Sequence, residues 1–342
     1  MSNRPKKKEA MRSCHRDLLD TFVRTLFLVS LIVSAERTDA ADRLIGLHSA
    51  QVMSQSMPWI AQEAGLFKKY DLDFRLVFIP SSPIATAATL NGDAEIGVTG
   101  AVGNVRAYVQ GFTDLVFIGG IKNILTHSVL GKPDIKRPED LKGKKVAVGR
   151  FGGNTHYFVI QALMRLGMDA SKDIQTIQTG GGPETLAALL SGNLDAAGLV
   201  APGDSAAAAR GYRYVINGPE MRIPYGAAQF VTLRAVIGKR GPVIGRFMRV
   251  MAESSRILHT DKNLVYKVLG KYLRITDTKV LDAAYQSEIP ALERRLEISE
   301  AALQASLDEI APTDPRAKSI KPQDMIDRRY LVELEKSGLF DK

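Results

Sequence analysis

Residues 89–100 read TLNGDAEIGVTG, and one hundred residues later 189–200 read LLSGNLDAAGLV. Leu90 matches Leu190, Gly92 matches Gly192 and Glu95 matches Asp195. Each copy spells a helix end, a glycine turn and an apolar strand. A unit written twice at a fixed offset calls for two equivalent strand positions. That requirement constrains the fold more than any single motif does.

The correspondence extends further back in both halves. Ahead of Gly92 lie the extended run 73–80 (DFRLVFIP) and a small-residue helix from Ser82 to Leu90. Ahead of Gly192 lie 173–179 (DIQTIQT) and a helix from Pro183 to Leu190. Before these, 43–48 (RLIGLH) precedes a helix near 57–69, and 145–150 (KVAVGR) precedes one near 155–167. Gly65 and Gly167 stand where a helix end calls for a left-handed residue. Apolar strands alternating with helices predict parallel sheet built from right-handed crossovers, once in each half. With 342 residues the chain is long enough for two cores. Duplication and convergence on a common pattern both account for the match.

In such sheets ligands bind outside the carboxyl ends of the strands, where helix N-termini present unpaired N–H groups. The segments there are 48–56 (HSAQVMSQS), 80–83 (PSSP) and 99–103 (TGAVG) in the first half. In the second half they are 151–156 (FGGNTH), 180–184 (GGGPE) and 201–205 (APGDS). All are rich in small and polar residues and poor in charge. Gln55 or Ser56 ahead of Met57-Pro58, Ser82 ahead of Pro83, and Gly182 ahead of Pro183 are helix-start signals. Such ends can hold an anion without Lys or Arg. A single loop of this kind is ordinary capping; six on two matching sheets point to a site between the halves.

The formal net charge is +9, of which residues 1–35 carry +4 (seven Lys or Arg less three Asp or Glu), leaving +5 for the rest. The densest later basic spot, Lys142, Lys144 and Lys145, has no interleaved aromatics and reads as a solvated turn, so nucleic-acid binding is not expected. After the basic stretch comes the apolar run 25–35 (TLFLVSLIVSA), eleven residues long and short of the ~20 that span a bilayer. Small residues follow at signal-peptidase spacing, at Val33 and Ala35 or at Thr38 and Ala40. Residues 1–41 therefore read as a secretory signal and its flank, with Met11 an alternative start. The single cysteine, Cys14, precedes the apolar run and would leave with it. The mature chain is then expected to lack disulfides and thiolate metal sites, and to be soluble.

Motifs for chemistry are missing. There is no GxSxG elbow, HExxH pair or Walker A loop, and the five histidines (15, 48, 127, 156 and 259) lack metal-ligand spacing. Glycines at 97, 100 and 103 are evenly spaced and omit the tight GxG turn of a dinucleotide site.

Segments 58–77 (PWIAQEAGLFKKYDLDFRLV), 91–100 (NGDAEIGVTG), 138–153 (PEDLKGKKVAVGRFGG) and 191–202 (SGNLDAAGLVAP) resemble the periplasmic substrate-binding proteins of the nitrate/sulfonate/taurine (NMT1/THI5-like) branch of ABC importers. That branch also includes binders of thiamine-precursor pyrimidines. The resemblance runs from about residue 43 to the C-terminus. It implies an α/β fold of two lobes, the periplasmic binding protein type II fold. Each lobe is a mixed, mostly parallel sheet flanked by helices, and the lobes close on ligand in the cleft between them. Lobe 1 would comprise 42–125 and 228–342, and lobe 2 would comprise 126–227. Crossovers would fall near 121–130 and 223–232. From Pro242 onward the chain reads as helices; one, 243–258, carries Val243, Ile244, Phe247, Val250 and Met251 at helical spacing, with Met248 and Met251 as core.

Site residues follow by position. Gln55 and Ser56, on the first loop, are ligand contacts or helix caps. Ser82 is read as a cap, Ser81 as a contact. Thr99 and Gly100 end the third strand, and Gly100 permits close approach of backbone. Gly153, Asn154 and Thr155 belong to a Gly-rich turn that can cradle an anion through backbone N–H groups. Arg150 can bind a carboxylate or sulfonate in bidentate fashion, or pair with a surface carboxylate. Pro202 and Asp204 follow the last strand of the second half, and Asp204 recognises an amine or caps a helix. Tyr225, near the second crossover, would cover the ligand. His156 and Trp59 read as packed residues, Trp59 against a strand. The strand ends Thr99-Gly100 and Ala201-Pro202 are expected to face each other across the cleft.

The resulting expectation is a periplasmic, monomeric solute-binding protein without cofactor or metal. It would capture a small organic solute such as a sulfonate, carboxylate or pyrimidine and deliver it to an inner-membrane ABC permease and ATPase complex. The alternatives are an enzyme on the same fold, of the thiamine-pyrimidine or menaquinone-pathway type, and a binding component that presents ligand to a membrane sensor.

Overall fold

Gly92 and Gly192 both adopt positive φ, +82° and +80°, a region glycine enters without a Cβ penalty. Each turns a helix into the third strand of a sheet. The acidic residue three positions on does the same work in both copies. Glu95 accepts the Ile45 N–H at 3.3 Å, and Asp195 accepts the Lys145 N–H at 2.9 Å. The repeat is therefore one supersecondary unit used twice.

The computed structural model describes residues 41–341. The signal-sequence expectation and Cys14 lie outside the described residues. In chain order the strands are β1 (Asp42–His48), β2 (Leu72–Phe78), β3 (Ile96–Thr99), β4 (Leu115–Leu125), β5 (Ser128–Gly131), β6 (Lys145–Val148), β7 (Gln175–Gln178), β8 (Ala196–Leu199), β9 (Arg213–Ile216) and β10 (Ile223–Leu233). They form two five-stranded sheets, ordered β2-β1-β3-β10-β4 and β7-β6-β8-β5-β9. In the first, β2, β1 and β3 are parallel while β10 runs antiparallel between β3 and β4. The second repeats this pattern, with β5 antiparallel between β8 and β9. Both sheets are thus mixed and mostly parallel, as the alternating pattern predicts.

The chain passes between sheets through β4, whose end at Leu125 lies three residues before β5 begins at Ser128. It returns through β10, which already pairs with β4 from Ile223. The lobe boundary drawn at 227/228 from the sequence falls inside this strand.

The helices are α1 (Met57–Glu63), α2 (Leu66–Lys69), α3 (Ser82–Leu90), α4 (Ala101–Val109), α5 (Asn154–Arg165), α6 (Ala170–Asp173), α7 (Gly182–Leu190), α8 (Gly203–Ala208), α9 (Gly218–Met221), α10 (Arg234–Thr260), α11 (Lys262–Leu273), α12 (Thr278–Glu288), α13 (Glu300–Ile310) and α14 (Arg329–Lys336). The single helix expected near 57–69 is two, because Gly65 takes φ +69° between them. Helix α10 kinks at Arg240, two residues before Pro242, where proline removes a backbone donor. Its inward face, including Val243, Phe247, Met248 and Met251, is buried in the main core. Trp59 packs in the core, its ring edge-on to His48 of β1 at 5.3 Å and stacked on Tyr272 of α11 at 5.1 Å. Among the described residues no helix is long and apolar enough to cross a membrane.

Candidate functional site

The carboxyl ends of β1, β2, β6, β7 and β8 converge on one cavity of about 100 Å³. The first sheet supplies Ser49 to Val52, Ser54, Gln55, Ser81 and Ser82. The second supplies Gly149, Arg150, Gly153 to Thr155, Gly180 to Gly182 and Val200. Lys122, His127 and Ala227, from the crossover segments, complete the wall.

Local chemistry builds the first-lobe side. The Gln55 amide oxygen accepts the Ser49 and Ala50 N–H groups, both at 2.9 Å, and its nitrogen donates to the Ser49 hydroxyl at 3.1 Å. Gln55 therefore stitches the loop after β1 rather than capping α1. Ser56 precedes α1 without a side-chain cap; its hydroxyl donates to the Met53 carbonyl at 2.7 Å and it does not line the cavity. The cap position of α3 falls on Ser81, not Ser82. Ser82, in the first helical position, accepts the Gly100 N–H at 3.2 Å. Ser81 has φ +82° and a buried hydroxyl without a partner.

On the second-lobe side the Gly-rich turn spends two of its donors internally. Gly153 N–H goes to the Arg150 carbonyl at 3.0 Å and Gly152 N–H to the His156 ring at 3.2 Å. The donors left for a ligand are those of the first turn of α5, at Asn154 and Thr155. Asn154 donates its Nδ2 to the Ala227 carbonyl at 2.8 Å, while its Oδ1 is buried without a partner. A Cβ on Gly100 would overlap that Asn154 amide. Gly100 thus faces Asn154, which corrects the expectation that it faces Ala201-Pro202.

Several expected contacts lie elsewhere. Thr99 is wholly buried and does not line the cavity. Tyr225 is buried between β10 and α5, stacked on Tyr157 at 4.5 Å, so it covers no cleft. Asp204 neither reaches the cavity nor precedes its helix. It lies within α8, 2% exposed, and accepts from the Ser205 N–H at 2.6 Å. His156 lies outside the cavity, its ring against Phe151 at 5.1 Å. Pro202 lines a second, apolar cavity of about 180 Å³ with Pro183, Leu186, Leu199, Ala206, Leu273 and Ile275. The two cavities share Gln51, Val52, Thr155, Gly182 and Val200, so they adjoin.

Lys122, His127 and Glu288 were not anticipated. Lys122 is 2% exposed and its Nζ donates to Glu288 Oε2 and Thr126 Oγ1, each at 2.8 Å. Thr126 also bonds Glu288 Oε1. The signal available in sequence was one charge inside the apolar run of β4, LVFIGGIKNIL. Burial, and then the Lys122 charge, push the His127 imidazole down to about 3, so it is neutral at ordinary pH. Arg150 has no carboxylate partner among the described residues, and its buried Nε is unpaired.

Two sheets of matching topology, joined by crossing strands and meeting at a cleft lined by their carboxyl-end loops, define the two-lobe periplasmic binding protein fold. The chain belongs to the NMT1/THI5 like family, whose profile matches residues 56–261, more than half of its length. No curated protein matches the sequence. Among solved structures, the alkanesulfonate-binding protein SsuA from Xanthomonas axonopodis pv. citri, bound to MOPS, is similar with a TM-score of 0.71. It is 21% identical, over 84% of this chain and 98% of that one. The periplasmic aliphatic sulphonate binding protein SsuA from Escherichia coli has a TM-score of 0.68 and 22% identity, over 85% and 93%. The desulfurization enzyme DSZB has a TM-score of 0.67 and 12% identity, over 86% and 99%. At these identities the likeness shows the fold alone.

Proposed function

We propose that this protein is the solute-binding component of an ABC importer, exported through its N-terminal segment to the periplasm. There it would take up a small organic anion as a monomer and deliver it to a membrane permease and its ATPase. One observation carries the reading. Ser81 Oγ, His127 Nδ1, Arg150 Nε and Asn154 Oδ1 are buried without partners around a single cavity. Buried polar atoms are normally satisfied, so four orphans from both lobes and the crossover describe the outline of an absent polar group: Ser81 Oγ and Arg150 Nε offer donors to it, while Asn154 Oδ1 can only accept and calls for a donor. The cationic pair Lys122 and Arg150 favours an anion, and the adjoining apolar cavity favours one with an organic portion. Binding rather than turnover is the role proposed, in keeping with the sulfonate-binding proteins among the similar structures.

The test is isothermal titration of purified protein with sulfonates, carboxylates and pyrimidines, alongside cell fractionation. Micromolar or tighter binding of an organic anion by a periplasmic protein supports the reading. A cytoplasmic protein that binds none of them sinks it. Likeness to DSZB raises a second reading, an enzyme on this fold, and conversion of any bound member of the panel to product would establish it.

A further inference from the structure

Lys122 is buried, yet its ammonium is only partly occupied. An ammonium carries three N–H donors; Glu288 Oε2 and Thr126 Oγ1 take two, each at 2.8 Å. Lys122 lines the cavity, whereas Glu288 is wholly buried and stands behind it, outside the lining. From the other lobe Arg150 contributes a second cation with no carboxylate partner among the described residues. Lys122, Arg150 and Glu288 sum to two positive charges and one negative. Asp204 of α8, 2% exposed, also interacts with Lys122 and Glu288; at pH 8, above its raised value of about 6, it is ionised and adds a second negative charge, the same in each of the variants below. Glu288 belongs to α12, beyond the residues 56–261 that match the family.

We infer that Glu288 determines specificity for head-group charge: by neutralising Lys122 from behind, it admits monoanions such as sulfonates and carboxylates and turns away dianions such as sulfate and phosphate monoesters. The proposal rests on the anion-binding reading above. The physics is a mismatch in scaling. The solvation an anion loses on entry grows with the square of its charge, while its attraction to the fixed charges of the site grows only linearly. A second negative charge also approaches the Glu288 carboxylate. The apolar cavity next door offers no further cation, since none of its lining residues is charged.

Benzenesulfonate and phenyl phosphate are matched in size and differ by one charge at pH 8, so calorimetric titration of the full chain with this pair isolates the effect. Wild type is expected to bind the sulfonate at least tenfold more tightly. Glu288→Gln, which removes the negative charge behind Lys122, is expected to shrink or reverse that ratio at least tenfold. Because this variant strands a buried ammonium, a second is made alongside it. Lys122→Gln with Glu288→Gln replaces the ion pair by two neutral amides and leaves Arg150 as the cation, and is expected to retain the sulfonate preference. A ratio unchanged by Glu288→Gln, or lost in the double variant, overturns the proposal. Equal affinity of wild type for both probes overturns it while leaving the anion site standing. Binding of neither probe, or of any other anion, overturns the anion-binding reading itself.

Discussion

Asn154 donates its Nδ2 to the Ala227 carbonyl at 2.8 Å, so a side chain from the first turn of α5, in the second lobe, holds β10 of the first sheet. Its Oδ1, buried and unpaired, is left for whatever occupies the cavity. One amide thus makes the lobe contact and leaves an acceptor buried beside it.

Replacing Asn154 tests what this lobe contact contributes. Asn154→Ala removes the Nδ2 bond to the Ala227 carbonyl and, by loosening that lobe contact, should weaken binding of an anionic probe such as benzenesulfonate about tenfold, in line with ~1–1.5 kcal/mol for a neutral hydrogen bond. Asn154→Asp keeps the shape but sets a carboxylate oxygen against the Ala227 carbonyl and adds negative charge to the site. It should lose at least another tenfold. Calorimetry that ranks Asp equal to or better than Ala would contradict an anionic ligand.

The Lys122–Glu288 pair makes a stability prediction of its own. Lys122→Met leaves a wholly buried carboxylate without its cation and should cost ~3–5 kcal/mol in urea unfolding. Adding Glu288→Leu removes the stranded charge and should recover most of that loss, apart from the bonds to Thr126. Additive losses in the two single variants and the double would show that the pair does not act as a unit.

Much of the frame is legible locally. Helix α3 begins and ends where the sequence places it, Ser82 to Leu90, because its proline and its glycine turn are near neighbours in the chain. The loops after β1, β2, β6 and β7 are readable for the same reason. Trp59 packs in the core against His48 of β1, as expected, but its stacking partner, Tyr272, comes from more than two hundred residues later in the chain. Lys122 and Glu288 are 166 residues apart, and nothing near either predicts the other. Tyr225 misleads because the crossover is irregular, with register shifts between Pro224 and Ala228 that bring Ala227 to the cavity. What local pattern misses is what the crossover and the C-terminal helices bring from a distance.

Gly218 opens α9 against the crossover, and its N–H donates to the Ser128 hydroxyl at 3.4 Å. A Cβ there would overlap the His127 carbonyl oxygen and crowd the Phe158 ring. Backbone cannot rotate away as a side chain can, so Gly218→Ala should cost ~2 kcal/mol or more. Because His127 lines the cavity, the same change should weaken ligand binding. A variant with wild-type melting temperature and affinity would show that the α9 turn shifts freely.

Two buried carboxyls set an unusual dependence of stability on pH. Burial raises Asp204 from an ordinary 3.8 to about 6, and Glu309 from 4.5 to about 7. The second Glu309 oxygen lacks any partner. In the window between each ordinary value and the raised one, the folded state binds more protons than the unfolded chain. Stability therefore rises as pH falls through about 7 toward 4.5, and is lost as pH rises. Below pH 6.5 the buried His127, held at about 3, works in the opposite sense and offsets part of this gain, and at lower pH Asp169, which its Ser171 and Lys172 bonds hold at about 2, joins it, so that acid destabilises the fold. The ligand-free protein should accordingly melt at a higher temperature near pH 5 than near pH 8. Asp204→Asn keeps an acceptor for the Ser205 N–H and removes the ionisation, so it should stabilise the protein at pH 8 by ~1–3 kcal/mol and do little at pH 4. Glu309→Gln should act in the same direction. Paired with Asp204→Asn, it should flatten the melting curve between pH 5 and 8, and a slope left intact in the double variant would assign the titration to other groups.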